Sequence, residues 1–333
     1  MEKYLRKCLD SLIVSDENMQ RLEVLVINDG SKDSSSQIAH EYEAKYPQTF
    51  RVIDKENGNY GSCINRGLKE ATGKYVKVLD ADDYFDNEVF TKFIDFLKTI
   101  DVELVISDST IVNPIGDLLE KTSFSLITNG VFSLSDLDEN DIKCLYHHNI
   151  TYARAIFTQI DYCQTEGISY TDDEWIFFPM LKVNRVAYFR QVLYLYLIGR
   201  EGQTFDPERL KKEFNSRLIV GRNLISFYTT HISECSEGTM RYLSVKLYYR
   251  LKPLYNFYLV NNLNVNMNPL IEFDRFIFQH HKGVLKIVNS IKNRLGGHYI
   301  IKWRDSGYNR NIFILRIQQM RVNLLKLFGV RFR

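Results

Sequence analysis

The sequence predicts an α/β protein in which a mainly parallel central sheet, covered by helices on both faces, is followed by a C-terminal helical region. Three observations carry this reading. Short apolar runs alternate with helical patterns as far as Ile106. Two of those runs stop abruptly at an aspartate, Asp29 and Asp80. After Pro207 the chain passes into long segments of Leu, Ile, Phe and Tyr interleaved with Lys and Arg. Charge divides the chain at the same place. Residues 1–206 hold 21 Lys and Arg against 34 Asp and Glu, and residues 207–333 hold 22 against 7, although the net charge is only +2. Two modules with different partners are expected, 1–206 and 207–333.

The elements follow in order. Residues 2–13 place Leu5, Cys8, Leu9 and Leu12 at helical spacing. A strand is expected over Leu22–Ile27, ending at Asn28-Asp29-Gly30-Ser31. Ser34 and Gln37 have the spacing of a capping box for a helix reaching about Tyr46. Phe50–Ile53 reads as a strand, Asn57-Gly58-Asn59-Tyr60-Gly61 as a turn, and Ser62–Ala71 as a helix. Tyr75–Leu79 is an apolar-rich strand that stops at Asp80; Asp86 caps a helix over Asn87–Ile100, and Val102–Ile106 is a further strand. From Ser107 to Leu197 the pattern is mixed, with β-like runs at Val186–Phe189 and Val192–Leu197.

With 45% apolar and 25% charged residues, the 333-residue chain has the make-up of a globular protein with room for a sizeable core. Its five cysteines, Cys8, Cys63, Cys144, Cys163 and Cys235, form no C-x-x-C pair and no metal-ligand spacing, which suits buried thiols in a reducing compartment. The opening residues run straight into an amphipathic pattern, and nowhere do about 18 apolar residues follow one another. A cytoplasmic protein is expected.

The densest chemistry lies in Asp80-Ala81-Asp82-Asp83. Three carboxylates in four residues repel one another and are costly to desolvate unless a cation neutralises them. A hard ion such as Mg²⁺ or Mn²⁺ takes few protein carboxylates and fills its shell with phosphate oxygens and water. An acidic, solvated turn fits the same four residues. In open α/β sheets, ligands sit beyond the carboxyl ends of the strands. Asp29 falls there too, where it can accept from a base N–H, as does the loop with Asn57 and Gly58, which can lie against a sugar or phosphate. A second acidic run, Tyr170-Thr171-Asp172-Asp173-Glu174-Trp175, suits the N-terminus of a helix whose dipole favours acids.

The run Val24-Leu25-Val26-Ile27-Asn28-Asp29-Gly30-Ser31-Lys32-Asp33, then Asn57-Gly58, Asn65-Arg66-Gly67-Leu68 and Gly73-Lys74-Tyr75, then Leu79-Asp80-Ala81-Asp82-Asp83, resembles the family 2 inverting glycosyltransferases of the GT-A fold. The resemblance covers roughly the first 100 residues. It implies that Asp29 binds the uracil of a UDP-sugar, that Asp80 contacts the ribose and the metal shell, and that Asp82 ligates the Mg²⁺ or Mn²⁺ bridging the diphosphate. It also implies a general base at Asp172, with Asp173 second. The segment Tyr194–Thr204 is similar to the loop that closes over the donor, where Arg200 would pair with phosphate and Gln203 or Thr204 would cap the same site. A surface salt bridge accounts for Arg200 almost equally well. His147-His148 fall in the region expected to meet the acceptor, and polar packing is the expected role of the pair ahead of metal ligation.

Two departures stand against the family pattern. Ile64-Asn65 takes the place of an Arg-Asn pair, leaving Arg66 as the neighbour able to take over a diphosphate contact. The family's first strand has no counterpart before Glu2, so the expectation is an incomplete N-terminus with the true start upstream.

From Lys282 onward there are 12 basic residues and the single acid Asp305, set among aliphatic and aromatic side chains. Basic amphipathic helices of this kind suit the anionic inner leaflet, and a solvated basic face is the simpler alternative. No recognition motif accompanies the charge, so nucleic acid is not expected as a partner. The expected whole is a transferase acting on a glycan or lipid-linked acceptor, bacterial in type, making cell-surface polysaccharide at the inner face of the plasma membrane. The alternative is a non-catalytic, membrane-associated scaffold that keeps the fold. A nucleotidyltransferase would need an N-terminal phosphate-binding loop, which the sequence lacks.

Overall fold

Helix α1 (Glu2–Asp10) buries Leu5, Cys8 and Leu9 along one face, as their spacing requires. The computed structural model to which it belongs describes residues 1–125, 130–199, 207–261, 265–293 and 297–327. Contacts divide the chain into two units, Met1–Asp206 with Glu237–Thr239, and Pro207–Ser236 with Met240–Arg333.

In the first unit, β1 (Val24–Asp29) and β2 (Phe50–Lys55) pair in parallel, joined through α2 (Ser35–Lys45). Their register runs from Val24 opposite Phe50 to Asp29 opposite Lys55, so an acid and a base face each other where the ribbon ends. The capping box expected at Ser34 does not form. Glu2 takes the Ser34 amide at 3.0 Å and Asp33 takes the Ser35 amide at 3.1 Å, because carboxylates are stronger acceptors than a hydroxyl. Helix α3 (Asn59–Glu70) starts earlier than its sequence pattern predicts, since the loop before it is fixed from outside by Asp29.

A second sheet contains β3 (Tyr75–Val76), β4 (Tyr84–Phe85), β5 (Leu104–Val112), β6 (Leu118–Thr122), β7 (Ile150–Ala153) and β8 (Val186–Leu197). Its order is β3-β7-β5-β8-β4, with β6 also on β5. The expectation of a mainly parallel sheet needs correction here. Only β5 and β8 run parallel, while β3–β7, β5–β7, β5–β6 and β4–β8 are antiparallel. Parallel pairing needs a long crossover, and the tight β5–β6 hairpin permits only the antiparallel kind. The two β-like runs near residue 190 form one strand, β8, whose pairing with β5 slips at Ser107–Asp108–Ser109. The strand expected over Tyr75–Leu79 stops at Val76. Beyond it the Lys77 ammonium donates to the carbonyls of His148 and Ile150 at 2.8 and 3.2 Å, where ladder bonds would otherwise lie.

Helix α4 (Asn87–Lys98) is capped as expected, with Asp86 accepting from the Val89 amide at 3.0 Å. It packs Phe90, Phe93 and Ile94 with Leu5, Leu9, Phe50, Phe85, Phe189 and Tyr194 into one apolar cluster. Each such side chain contributes about 1.5–3 kcal/mol by leaving water. A short helix, α5 (Asp172–Trp175), is seated by buried Trp175.

The second unit is helical: α6 (Pro207–His231), α7 (Glu237–Asn256), α8 (Asn268–His280), α9 (Lys282–Ser290), α10 (Tyr299–Asp305) and α11 (Phe313–Leu327). Not all of its basic charge faces water. Asp274, fully buried, takes a two-pronged pair from Arg304 at 2.7 and 2.8 Å and the Tyr255 hydroxyl at 2.6 Å. Among the described residues, no helix is long and apolar enough to cross a membrane.

Candidate active site

The site begins where β1 ends. Gly30 has φ of +69°, a left-handed conformation that turns the chain directly after Asp29. The Asp29 carboxylate pairs with the Lys55 ammonium and accepts the Gly58 amide at 2.9 Å; Asn57 donates its side-chain N–H to the Asp29 carbonyl at 3.0 Å. Lys55 also donates to the Ser62 hydroxyl at 2.8 Å. Burial by itself would raise the Asp29 pKa, but Lys55 and the Gly58 amide outweigh it and hold the carboxyl below its ordinary value. Asp29, Asn57 and Gly58, singled out separately in the sequence, are thus one hydrogen-bonded group.

The aspartate cluster follows the end of β3. Asp83 is 1% exposed and turned inward, accepting the Tyr194 hydroxyl at 2.7 Å and the Leu197 amide at 2.8 Å. Burial pushes its carboxyl up to about 7. Asp83 therefore anchors the loop, and Asp80 and Asp82 are less buried. The Asp80 amide donates to the Tyr194 hydroxyl at 3.2 Å, and the Asp80 carbonyl closes the turn onto the Asp83 amide at 2.9 Å.

Asp80 reaches across to the 3-10 turn His147–Asn149, where His147 Nε2 lies 3.1 Å from its Oδ2. The other nitrogen of His147, Nδ1, lies 4.0 Å from Asp172 Oδ2. One imidazole therefore stands between the aspartate expected at the metal and the aspartate expected as base. Burial tends to lower the His147 pKa, but the hydrogen bond and charge of Asp80 overcome this and raise it. His148 behaves oppositely. Burial, then the neighbouring His147 and Lys77, hold it well below the usual histidine value. Its ring contacts His147 at 3.9 Å between centroids and Tyr194 and Tyr196 at 4.6 Å each.

Among the described residues, one ligand atom each from Asp80, His147 and His148 lie within 4.8 Å of one another. The buried Nε2 of His148 has no hydrogen-bond partner. A carboxylate oxygen beside an unsatisfied, neutral imidazole nitrogen is a donor set that fits a divalent ion. Polar packing, the role expected of the histidine pair, accounts for His147 but leaves that nitrogen of His148 unaccounted for.

In the second acidic run, Glu174 is fully buried and grips Thr165 through its amide and hydroxyl, both at 2.7 Å. Asp172, at the start of α5, keeps 34% of its side chain exposed. Asp173 is adjacent to it on the same turn. Arg66, the neighbour expected to take over a diphosphate contact, pairs with Glu70 along α3 at 2.9 Å. Asn65 instead ties α3 to the segment before α5 through Gln164 at 2.8 and 2.9 Å. Arg200 and Gln203, with Thr204, lie outside the described residues.

The model of the family described as Glycosyl transferase family 2 matches residues 1–161, which carry Asp29, the aspartate cluster and the histidine pair. Residues 1–161 belong to glycosyltransferase family 2. The chain is 41% identical over 96 residues to an uncharacterized glycosyltransferase, MG025, of Mycoplasma genitalium; the match covers 28% of this chain and 32% of that protein. The minor teichoic acid biosynthesis protein GgaB of Bacillus subtilis is 26% identical over 239 residues, 69% of this chain and 26% of GgaB. EpsJ of the same organism, an uncharacterized glycosyltransferase, is 24% identical over 66% of each chain. For MG025 and EpsH of Bacillus subtilis, the aligned part is 32% and 24% of their own length. In structure the chain is similar to TarS 1–349 of S. aureus, solved with UDP-GlcNAc. The TM-score is 0.65 at 18% identity, over 100% of this chain and 90% of that one. The GT-A fold of the transferase domain, with its helical C-terminal region, is thereby shown.

Sequence reasoning missed Lys55, Tyr60 and Asp83's inward role. Lys55 is placed by register alone, at the end of the strand that follows its partner's. Tyr60 puts its ring 6.5 Å from that of His147 and buries an unpartnered hydroxyl under the influence of Asp80 and Asp172. Its sequence context, Asn57-Gly58-Asn59-Tyr60-Gly61, carries the signal of a turn and none of a buried aromatic. Gly61 in that run is required by close packing: a Cβ there would lie 2.0 Å from the Thr165 carbonyl oxygen.

Proposed function

We propose that this chain transfers a sugar from a UDP-sugar to a glycan or lipid-linked acceptor, with inversion and with a divalent metal. The observation that carries this reading is His147, which spans Asp80 and Asp172 and so brings the donor-side and acceptor-side carboxylates to one place. Inversion by single displacement needs the base and the departing diphosphate on opposite sides of the anomeric carbon, within one small site. Asp29, oriented by Lys55 and Gly58, accepts from the N–H of the uracil ring. Asp172 takes the proton of the acceptor hydroxyl as its oxygen attacks the anomeric carbon, and Asp173 stands beside it. Asp82 and Asp80 would hold Mg²⁺ or Mn²⁺, which when bound offsets charge on the departing diphosphate. TarS, of like fold, binds UDP-GlcNAc, which favours uridine as the donor base. The relation to GgaB favours a cell-surface polymer as the acceptor class.

Isothermal titration of UDP and UDP-sugars, with and without Mn²⁺, tests the proposal. Metal-enhanced binding that disappears in Asp82→Ala is expected. Binding indifferent to both metal and Asp82 would overturn the metal-dependent mechanism, and no binding of any UDP compound would overturn the donor assignment. For location, we propose peripheral attachment through the basic C-terminal region to an anionic inner leaflet.

A further inference from the structure

We infer that His147, with His148 beside it, supplies imidazole nitrogen to the divalent-ion site at Asp80, making a mixed nitrogen–oxygen site that prefers Mn²⁺ to Mg²⁺. This rests on the proposed role of Asp80 at the metal.

Four observations support the inference. The first is spacing. Around an octahedral ion with bonds of about 2.1–2.2 Å, adjacent ligand atoms are roughly 3.0–3.1 Å apart and opposite ones roughly 4.2–4.4 Å. His147 Nε2 and Asp80 Oδ2 are 3.1 Å apart, the separation of adjacent ligands, and the His148 ligand atom completes a group within 4.8 Å. The second is the unsatisfied nitrogen. A buried imidazole Nε2 without a partner costs free energy, and His148, whose ring contributes one ligand atom to this group, has one. Third, the other nitrogen of His147 faces the Asp172 carboxylate at 4.0 Å. Metal-bound histidines commonly present their second nitrogen to a carboxylate, which fixes the ring and raises its basicity.

The fourth is rigidity. Both histidines sit on a 3-10 turn closed by mutual hydrogen bonds between Tyr146 and Asn149. Asn149 is fully buried and donates to the Ser107 carbonyl and the Ser109 hydroxyl at 2.9 Å each. The His148 ring is held between aromatic neighbours, and its carbonyl is held by Lys77 at 2.8 Å. Such a pair is placed before any ion arrives. Mg²⁺ strongly favours oxygen ligands, whereas imidazole suits later transition ions, so nitrogen at this position moves selectivity away from Mg²⁺. Asp172 is then coupled to the ion through His147, which makes His147 a positioning residue for the base as well as a ligand.

The test uses the untagged full chain with UDP and Mn²⁺, read by electron paramagnetic resonance. The expected result is ¹⁴N modulation in the electron spin echo of bound Mn²⁺. In His147→Gln that modulation falls and Mn²⁺ affinity drops on the order of 10–100-fold, with the Mn²⁺ over Mg²⁺ preference shrinking in parallel. His148→Gln gives a second, independent loss, and circular dichroism confirms that both variants fold. Bound Mn²⁺ showing no ¹⁴N modulation in the unsubstituted chain would overturn the inference while leaving the UDP-sugar reading and an all-oxygen site in place. Binding of UDP with no Mn²⁺ uptake at all would overturn both the inference and the proposed metal dependence.

Discussion

Replacing Asp83 by alanine probes the anchor beneath the aspartate cluster. Its carboxylate is 1% exposed and accepts two hydrogen bonds, from the Tyr194 hydroxyl and the Leu197 amide. Alanine leaves both donors buried and unsatisfied, at about 1–3 kcal/mol each, so the loss is about 2–5 kcal/mol after some relaxation. For a unit of this size, 1 kcal/mol shifts Tm by about 2–4 °C, so a fall of roughly 5–15 °C is expected. Asparagine keeps the shape but only one carbonyl acceptor, so it serves one of the two donors and leaves the other unsatisfied. Asp83→Asn is therefore expected to cost about 1–3 kcal/mol, less than Asp83→Ala. Differential scanning fluorimetry and urea unfolding at pH 7 measure both. An Asp83→Ala Tm within about 1 °C of the unsubstituted chain, or an Asn variant as unstable as the Ala variant, would refute the reasoning. Tyr194 also accepts from the Asp80 amide, so Asp83→Ala should weaken UDP binding along with stability.

In the second unit, Arg304→Ala leaves Asp274 fully buried without its cation and should cost about 3–5 kcal/mol in chemical denaturation, whereas Asp274→Leu combined with Arg304→Met should recover much of it. On α2, hydrogen bonds first to Asp54 and then to Glu43 raise the His40 pKa above 6.5. That pair's contribution to stability is complete below the unfolded value and fades as pH rises through the folded one; NMR titration should show the His40 midpoint falling in Asp54→Asn. Co-sedimentation with vesicles should rise with anionic lipid content and fall with salt if the C-terminal region docks on membrane, and binding indifferent to lipid charge would count against it.

The sequence made the strand-end aspartates legible because a strand that stops at a carboxylate is a local pattern, readable within six residues. Asp29 came from that, Asp86 from the helix pattern that follows it, and Asp80 stands four residues beyond the end of β3. What joins them was hidden for lack of any local signal. Lys55 meets Asp29 only through the parallel register of two strands, and His147 meets Asp80 and Asp172 only after β7 folds beside β3. Strand direction was misjudged for a related reason. Alternation of strands and helices through Ile106 promised crossovers, but the larger sheet takes β6, β7 and β8, half of its strands, from the mixed region after it, where periodicity is silent. The three acids at 80, 82 and 83 looked equivalent in sequence. Burial sorts them, because Asp83 finds two donors inside the fold and its neighbours do not point there.

The slip between β5 and β8 also governs which changes of length this chain can absorb. Leu104 pairs with Val186 but Ser109 pairs with Tyr194, so β8 carries three more residues than β5 across that stretch. Side chains alternate faces along a strand, and an odd surplus exchanges the two sets. Tyr194 and Tyr196 therefore share a face with Val105 and Ser107, where an even surplus would have put leucines at 195 and 197. Removing or adding one residue between Phe189 and Val192 would turn the tyrosines away from Asp83 and His148 while leaving every motif of the aspartate cluster intact. Two-residue changes preserve the parity. Natural variation in length at this bend should therefore run in steps of two, and a chain differing there by one would keep the aspartate motif yet lack the tyrosine wall beside Asp83 and His148.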